Sequence, residues 1–541
     1  MTALWGLPAM VALPLLGVGL VLSLKQPRHW TTVAALFTGL SAAQALSSAV
    51  GEGSGVSAAL AVNAAISTVV LLGQPRRGLT QRDTLMPLVW VAASALVLRS
   101  DDARLLAVGW VAPPALVFFT LRRLSEREAR ARRVVGVYLL LGALLLVGAV
   151  ALFAKAAADA GVEEPFRLSG WRAVPLSAQL AGLLFLLVAA SVMARLGVPP
   201  LHGWLPTLSE ALPPGTMLTL TSVQMSVHVM VQLALVPLPQ AVPGAAPVVQ
   251  TLGVAGVVYA AVMAASQHKL RRLIAYVVVA QSSALLVGLA SGDLVSVSGA
   301  LANAISVAIT SRGLMLVAGT IEARVGPVDV RGLHGVSHPA PRLGVAALML
   351  AFGAVGLPGS LGFVGEDLML QGLMRERPLV AGVMVACTAL VGIALLRAML
   401  KTCFGPVQPW AATAPDLFPR ERALVLLAVA VVLLGVWPQP LVQAHQHDVA
   451  ALRGALASSD GAAPLDDGPP APSSADACVV AEAARPALAS EGVASRRWAP
   501  RRPLPGGRRR RRATGRLRRR RRTAPRRPGT PSTTSARRSR S

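Results

Sequence analysis

The chain has 541 residues, of which 54% are hydrophobic and only 14% are Asp, Glu, Lys or Arg, with a mean hydropathy of +0.58. Soluble proteins carry about 25% charged residues, so this composition excludes a water-soluble globular enzyme. The net charge of +27 sits mostly at one end: residues 496–541 hold 20 Arg and no acid, leaving +7 for residues 1–495, so the basicity belongs to a tail and not to the body.

The apolar residues come in runs of about 20, the length an α-helix needs to cross about 30 Å of hydrocarbon. The alternating segments of about 10 residues that build a transmembrane β-barrel are absent. Met1–Leu24 lacks the basic start of a signal peptide and reads as a first membrane span. In chain order the predicted spans are 3–23, 29–49, 54–73, 83–99, 103–121, 134–155, 175–208, 215–236, 243–266, 271–291, 295–320, 342–374, 378–404 and 422–442. The fold expected is an all-α polytopic membrane protein of about fourteen transmembrane helices. Two spans are over-long and interrupted, the seventh at Gly197-Val198-Pro199-Pro200 and the twelfth at Gly356-Leu357-Pro358-Gly359.

Connections after odd-numbered spans are basic: Lys25 and Arg28; Arg76, Arg77 and Arg82; Arg122, Arg123, Arg127, Arg130, Arg132 and Arg133; Lys269, Arg271 and Arg272; Arg324 and Arg331; Arg420 and Arg422. Even-numbered connections are neutral, acidic or weakly basic, with Glu52, then Asp101 and Asp102 beside Arg99, then Glu163 and Glu164 beside Lys155 and Arg167, then Asp293. Positive charge stays on the cytoplasmic side, which predicts both termini outside the cytoplasm in a cell inner (plasma) membrane. Residues 459–495, rich in Ala, Pro, Ser and Asp, read as a disordered linker. The tail beyond it reads either as a polybasic arm for anionic lipid or nucleic acid, or as a non-functional extension; twenty arginines on the translocated side run against the loop bias and favour the second. No nucleic-acid partner is expected for the body.

Several chemistries are not signalled. Cys387, Cys403 and Cys478 have no metal-ligand spacing, and an iron–sulfur cluster normally takes four thiolates. The G-x-G-x-G of Gly51–Gly55 follows no strand and is not a nucleotide site. No cofactor, metal or catalytic triad is expected in this chain.

The two breaks share a pattern: Gly197-Val198-Pro199-Pro200-Leu201-His202-Gly203-Trp204 recurs 159 residues later as Gly356-Leu357-Pro358-Gly359-Ser360-Leu361-Gly362-Phe363. Five spans separate them, which predicts opposite orientation across the bilayer. Interrupted helices at matching places of inverted repeats point to an ion path at the midplane. The predicted organisation is three N-terminal spans in 1–82, a first five-helix unit in 83–236, a second in 243–404, a last span in 422–442, and a linker and Arg-rich tail in 443–541.

At these residues the sequence resembles the antiporter-like proton channel subunits of NADH-quinone oxidoreductase (respiratory complex I), of the chain M or chain 4 type, a family shared with Mrp-type antiporters. The resemblance rests on HGWLP at 202–206, RRLIAY at 271–276, GLPGSLGFVGE at 356–366 and LGVWPQP at 434–440, in order and at family spacing from about residue 83 to 442. It implies a relay of buried ionisable side chains passing protons at mid-membrane, where such groups are by default functional. It further implies a membrane subunit without its own redox site, with quinone, FMN and iron–sulfur clusters on partner subunits. Several relay positions depart from the family. The carboxylate after Trp110 is replaced by Val111, the lysine before the first break by Arg195, the eighth-span lysine by Ser226 (or Met225 if the gap is placed differently) and the eleventh-span histidine by Val307, while the Asp after HGWLP is Thr207. The twelfth-span glutamate remains, as Glu366.

A relay group must take and release a proton. A buried lysine can, because desolvation lowers its pKa; an arginine stays protonated. A complete family-type relay is therefore not expected. Candidates on the proton path are Glu366, Arg195 as a fixed charge, His228 and His202, with Pro199, Pro200, Gly356 and Pro358 as the helix breaks. His228 lies about 200° round the helix from Ser226 and so does not replace the lost lysine; a lone histidine there is more often a packing residue. Glu210 reads as a solvated or capping carboxylate. The function expected is a membrane subunit of a proton-translocating NADH-quinone oxidoreductase-like complex. The alternatives are a non-conducting structural paralogue, or a subunit of a cation/proton antiporter or bicarbonate-linked transporter.

Overall fold

The computed structural model describes residues 2–52, 54–74, 80–121, 126–213, 217, 220–406, 416–419, 421–445, 449–450 and 452–454. Arg76, Arg77, Arg122, Arg123 and Arg420, and the predicted linker and tail beyond 454, lie outside them. Within the described residues the chain is helical, with only two isolated bridges, Asp102 to Arg167 and Lys269 to Asp329. The protein is an all-helical, multi-pass membrane protein. Among the described residues nine helices are long and apolar enough to cross a membrane, and Pro8–Ser23, Val223–Leu235, Pro341–Ala354 and Ala423–Val436 are shorter apolar helices.

Helix ends follow local chemistry. Asp102 and Asp293 each accept a backbone N–H from the first turn of the helix they precede, Ala103–Thr120 and Leu294–Val325. Arg104, bonded to Asp102 at 2.7 Å, holds that carboxyl below the usual carboxylate range. Leu294–Val325 runs five residues beyond the predicted eleventh span, because Arg324 in its last turn reaches the Glu421 carboxylate at 2.5 Å and the Asp416 carbonyl at 3.0 Å. The predicted sixth span starts within Glu126–Val134, passes a π-helical stretch at Val135–Leu140 and ends with Leu141–Asp159.

Leu270–Leu289 and Leu294–Val325 are buried along nearly their whole length, and other helices pack around them. Large apolar side chains such as Leu16, Leu36, Leu144, Ile393, Leu426 and Leu433 point outward, as expected where the solvent is lipid.

Charged residues gather at two opposite ends. At one, the basic end, Lys269 pairs with Glu210 at 2.8 Å, Arg271 with Glu322 at 2.6 Å, and Lys401 donates to the Arg331 carbonyl at 3.1 Å. At the other, Arg167 meets Asp101 and Glu164, and the backbone of Ala103 and Leu168 ties two connections together. The connections after the predicted seventh, ninth, eleventh and thirteenth spans thus share one end, and those after the predicted fourth and sixth spans share the other. One boundary moves: Gln439–Ala444 is a helix, His445 is buried and Leu452 joins a hydrophobic cluster, so the chain stays packed past the predicted end of the last span at 442.

Candidate functional site

Both predicted breaks are real, and they close in the same way. Ala178–Leu196 stops at Gly197, whose φ of +71° favours glycine, and Pro341–Ala354 gives way to Gly356 at φ +69°. The next residue reaches back five positions in each case, Val198 N–H to Met193 O at 2.9 Å and Leu357 N–H to Phe352 O at 3.1 Å, a Schellman-type closure. Pro199, Pro200 and Pro358 follow, which have no N–H to carry the helix on. The chain resumes as Trp204–Ala211 after the first break and Leu361–Glu376 after the second. The first ends near Glu210 at the basic end; the second runs past Gly372, packed against Asp293 at the opposite end.

Each break frees carbonyls, and side chains fill them, one from the helix that resumes after the first break and one from a helix distant in sequence at the second. Trp204 Nε1 donates to Ala194 O at 2.8 Å, and Gln281 Nε2 to Ala354 O at 2.5 Å. The same logic explains Arg195. Pro114 has no N–H to offer the Trp110 carbonyl four residues earlier, and the Arg195 guanidinium donates to that carbonyl instead. It also lies over the Trp110 ring at 4.5 Å, while Trp110 Nε1 donates to Ser191 Oγ at 3.1 Å. Arg195 is buried and has no carboxylate partner among the described residues.

A second buried arginine repeats this motif outside the expected set. Arg312 lies over the Trp90 ring at 4.4 Å and donates to Thr221 O at 2.9 Å, and Trp90 Nε1 donates to Ser222 Oγ at 3.0 Å. A lone charge in an apolar run is the sequence signal that points to it.

Glu366 sits against the second break. A Cβ placed on Gly356 would lie 2.6 Å from its carboxylate, so this glycine leaves room for the acid. The carboxylate is half-buried and has no hydrogen-bond or ion-pair partner among the described residues. Between the breaks the interior is polar in places. Gln224, Gln281, Asn303 and Ser282 are buried and each keeps a polar atom without a partner among the described residues. Buried polar groups of this kind are normally completed by ordered water.

The other expected residues fall apart from this centre. His202 Nε2 meets Tyr259 Oη at 3.0 Å beside the first break. His228 lines a cavity at the end opposite the basic one. Val111 is half-buried next to Trp110, Val307 is fully buried, and the Ser226 hydroxyl donates to Ser222 O at 2.8 Å, so none of these three holds a titratable group. Glu210 is an ion-paired surface carboxylate, 2.8 Å from Lys269 and 3.8 Å from Arg272. Among the described residues no group of three His, Cys, Asp or Glu is placed to hold a metal ion.

Comparison with known proteins places these features in a wider set. Residues 102–392 match the family described as NADH:quinone oxidoreductase/Mrp antiporter, TM. NADH-quinone oxidoreductase subunit M of Pseudomonas aeruginosa is 30% identical over 292 residues, 52% of this chain and 57% of that protein. The chain thus spans little more than half the length of the curated relatives it matches. In fold it is similar to a chain of respiratory complex I from Thermus thermophilus, with a TM-score of 0.71 at 24% identity over 82% of this chain and 99% of that one. It is equally similar to a chain of the Mrp complex from Dietzia, with a TM-score of 0.73 at 18% identity over 84% and 100%.

Proposed function

Because the chain belongs to the NADH:quinone oxidoreductase/Mrp antiporter transmembrane family, we propose that it is a membrane subunit of a proton-translocating NADH-quinone oxidoreductase-like complex. Partner subunits carry the quinone, FMN and iron–sulfur chemistry, and this chain couples it to proton movement. Its fourteen spans sit in a plasma membrane with the basic end in the cytoplasm and both termini outside. Residues 83–236 and 243–404 act as two inverted five-helix units flanked by three spans before and one after.

The observation that carries this reading is Glu366, a carboxylate without a partner among the described residues, packed on the glycine of a helix break. In apolar surroundings such a group takes and releases a proton with water or a neighbouring relay group, whereas Arg195 and Arg312 stay charged and shape the field around it. The polar atoms of Gln281, Asn303 and Ser282 that lack partners among the described residues supply sites for the water that a proton transfer needs. In the reconstituted complex, Glu366→Gln is expected to lower proton flux per quinone reduced while assembly and quinone reduction persist. Unchanged flux in a normally assembled complex would sink the proton role of this chain.

A second reading, a subunit that conducts no protons, draws support from Val111, Ser226 and Val307, which hold no titratable group where the family relay does. The same Glu366→Gln measurement separates the two. The likeness to the Mrp chain keeps a cation/proton antiporter as the third; sodium dependence of the flux is its distinguishing sign.

A further inference from the structure

The two breaks differ in what covers them. The first is walled by the chain itself: a Cβ on Gly256 of Val242–Ser266 would lie 3.1 Å from Pro199 Cδ, and Tyr259 of the same helix meets His202. At the second, Pro358 and Gly359 are exposed, and a Cβ on Gly359 would meet nothing within 4 Å among the described residues. Another interruption lies beside it. Ala423–Val436 comes in from the basic end and stops where Gly435 packs on the backbone of Ser360 and Leu361, and Val436 and Trp437 are exposed. Pro341–Ala354 covers about 21 Å from the basic end before the second break, so this exposed backbone lies within the hydrocarbon. Irregular backbone at that depth needs protein or water against it, not lipid tails.

The helix that resumes, Leu361–Glu376, carries an independent sign. Leu294–Val325 packs behind it, and Pro378–Cys403 and Ala423–Val436 flank it. Its outer face presents Phe363, Asp367, Gln371 and Met374, all exposed and spaced as one helical stripe. Asp367 lies about 9 Å along the helix from Leu361 and about 8 Å short of Gly372, which packs on Asp293 at the end opposite the basic one. Among the described residues it accepts Gln371 Nε2 at 2.7 Å and meets no cation. Gln371 supplies a hydrogen bond but no charge. A carboxylate held between Phe363 and Met374 on an outward face is costly against lipid tails, and the headgroups that could neutralise it lie further out.

We propose that this face seats a transmembrane helix of a partner subunit, and that a lysine or arginine of that helix pairs with Asp367 while the rest of it covers Pro358, Gly359 and Trp437. Gln371 fixes one carboxylate oxygen, which leaves the other for the incoming cation. The pair is closed off from lipid only when the partner is in place, so Asp367 sets the partner's depth and register as well as its charge. That the partner belongs to a quinone-reducing complex rests on the function proposed above; the seat itself does not.

The test uses the complex purified from native membranes. Benzoylphenylalanine in place of Phe363 or of Trp437 is expected, on illumination, to join this chain to one and the same membrane subunit, at a helix with a lysine or arginine within two turns of the joined residue. Asp367→Asn is expected to lower the share of that subunit retained through purification at least threefold, and Asp367→Glu to keep it. Asp367→Lys is expected to lose the subunit and to regain it when the partner's basic residue is changed to Glu. Glu163→Gln, at an exposed carboxylate outside this face, is expected to change nothing. Cross-links to lipid alone or to a second copy of this chain, a partner helix without a basic residue there, or full retention in Asp367→Asn would each overturn the proposal. The cross-links are read in a chain whose Asp367 is intact, so a variant that fails to fold does not hide the answer. A joined partner in a complex that neither reduces quinone nor moves protons refutes the function proposed above and leaves the seat standing.

Discussion

Pro114 withholds an N–H from the Trp110 carbonyl, and Arg195 supplies one from another helix. That exchange puts a number on the arginine. Replacing Arg195 with Met leaves a buried carbonyl unpaired, and is expected to cost about 1–3 kcal/mol, read as a lower midpoint of thermal unfolding in detergent. Adding Pro114→Ala returns a backbone N–H to Trp110, so the double variant is expected to be more stable than Arg195→Met alone. If the second change brings no recovery, the carbonyl is not what Arg195 serves. Arg312 is built alike, with Trp90 under its guanidinium and Thr221 as its acceptor, so the two buried cations are one motif used twice.

At the scale of the element, the breaks matter because they end helices inside the protein, where every freed group must find a partner. Gly356 is the tightest point. An alanine there would have to hold φ at +69° and place its Cβ against the Glu366 carboxylate. The left-handed backbone alone costs about 1–2 kcal/mol, so Gly356→Ala is expected to lower stability and displace Glu366, reducing proton flux as well. Gly382, inside Pro378–Cys403, has nothing within 4 Å of an added Cβ. Gly382→Ala is expected to leave flux unchanged and to raise stability by about 0.5–1 kcal/mol through helix propensity. Equal effects at both glycines would argue against a special role for the break.

For the whole molecule, the proposed orientation follows from the distribution of charge. Single cysteines at Arg130, Arg271 and Lys401 are expected to react from one side of the membrane, the cytoplasmic one, and cysteines at Asp101, Glu163 and Asp293 from the other. Labelling Arg130 and Arg271 from opposite sides would break the count of spans between them, and with it the inverted arrangement of the two broken helices.

The sequence by itself determined the class, the positions of most spans, the two breaks and the segregation of basic connections. Each of these is set by chemistry local in the chain: a run of about 20 apolar residues leaves water, and glycine followed by proline interrupts the helix at Gly197 and at Gly356. Glu366 came from the family resemblance, and the tertiary structure adds that its carboxylate lies against Gly356 of the break. The tertiary structure alone decided what fills the groups those local events leave open. Arg195 answers a proline 81 positions earlier in the chain, Arg312 reaches Thr221 across 91 residues and Gln281 reaches Ala354 across 73. Hydrogen-bond partners follow from which helices lie side by side, and side-by-side packing is a property of the assembled bundle that no single run of residues encodes.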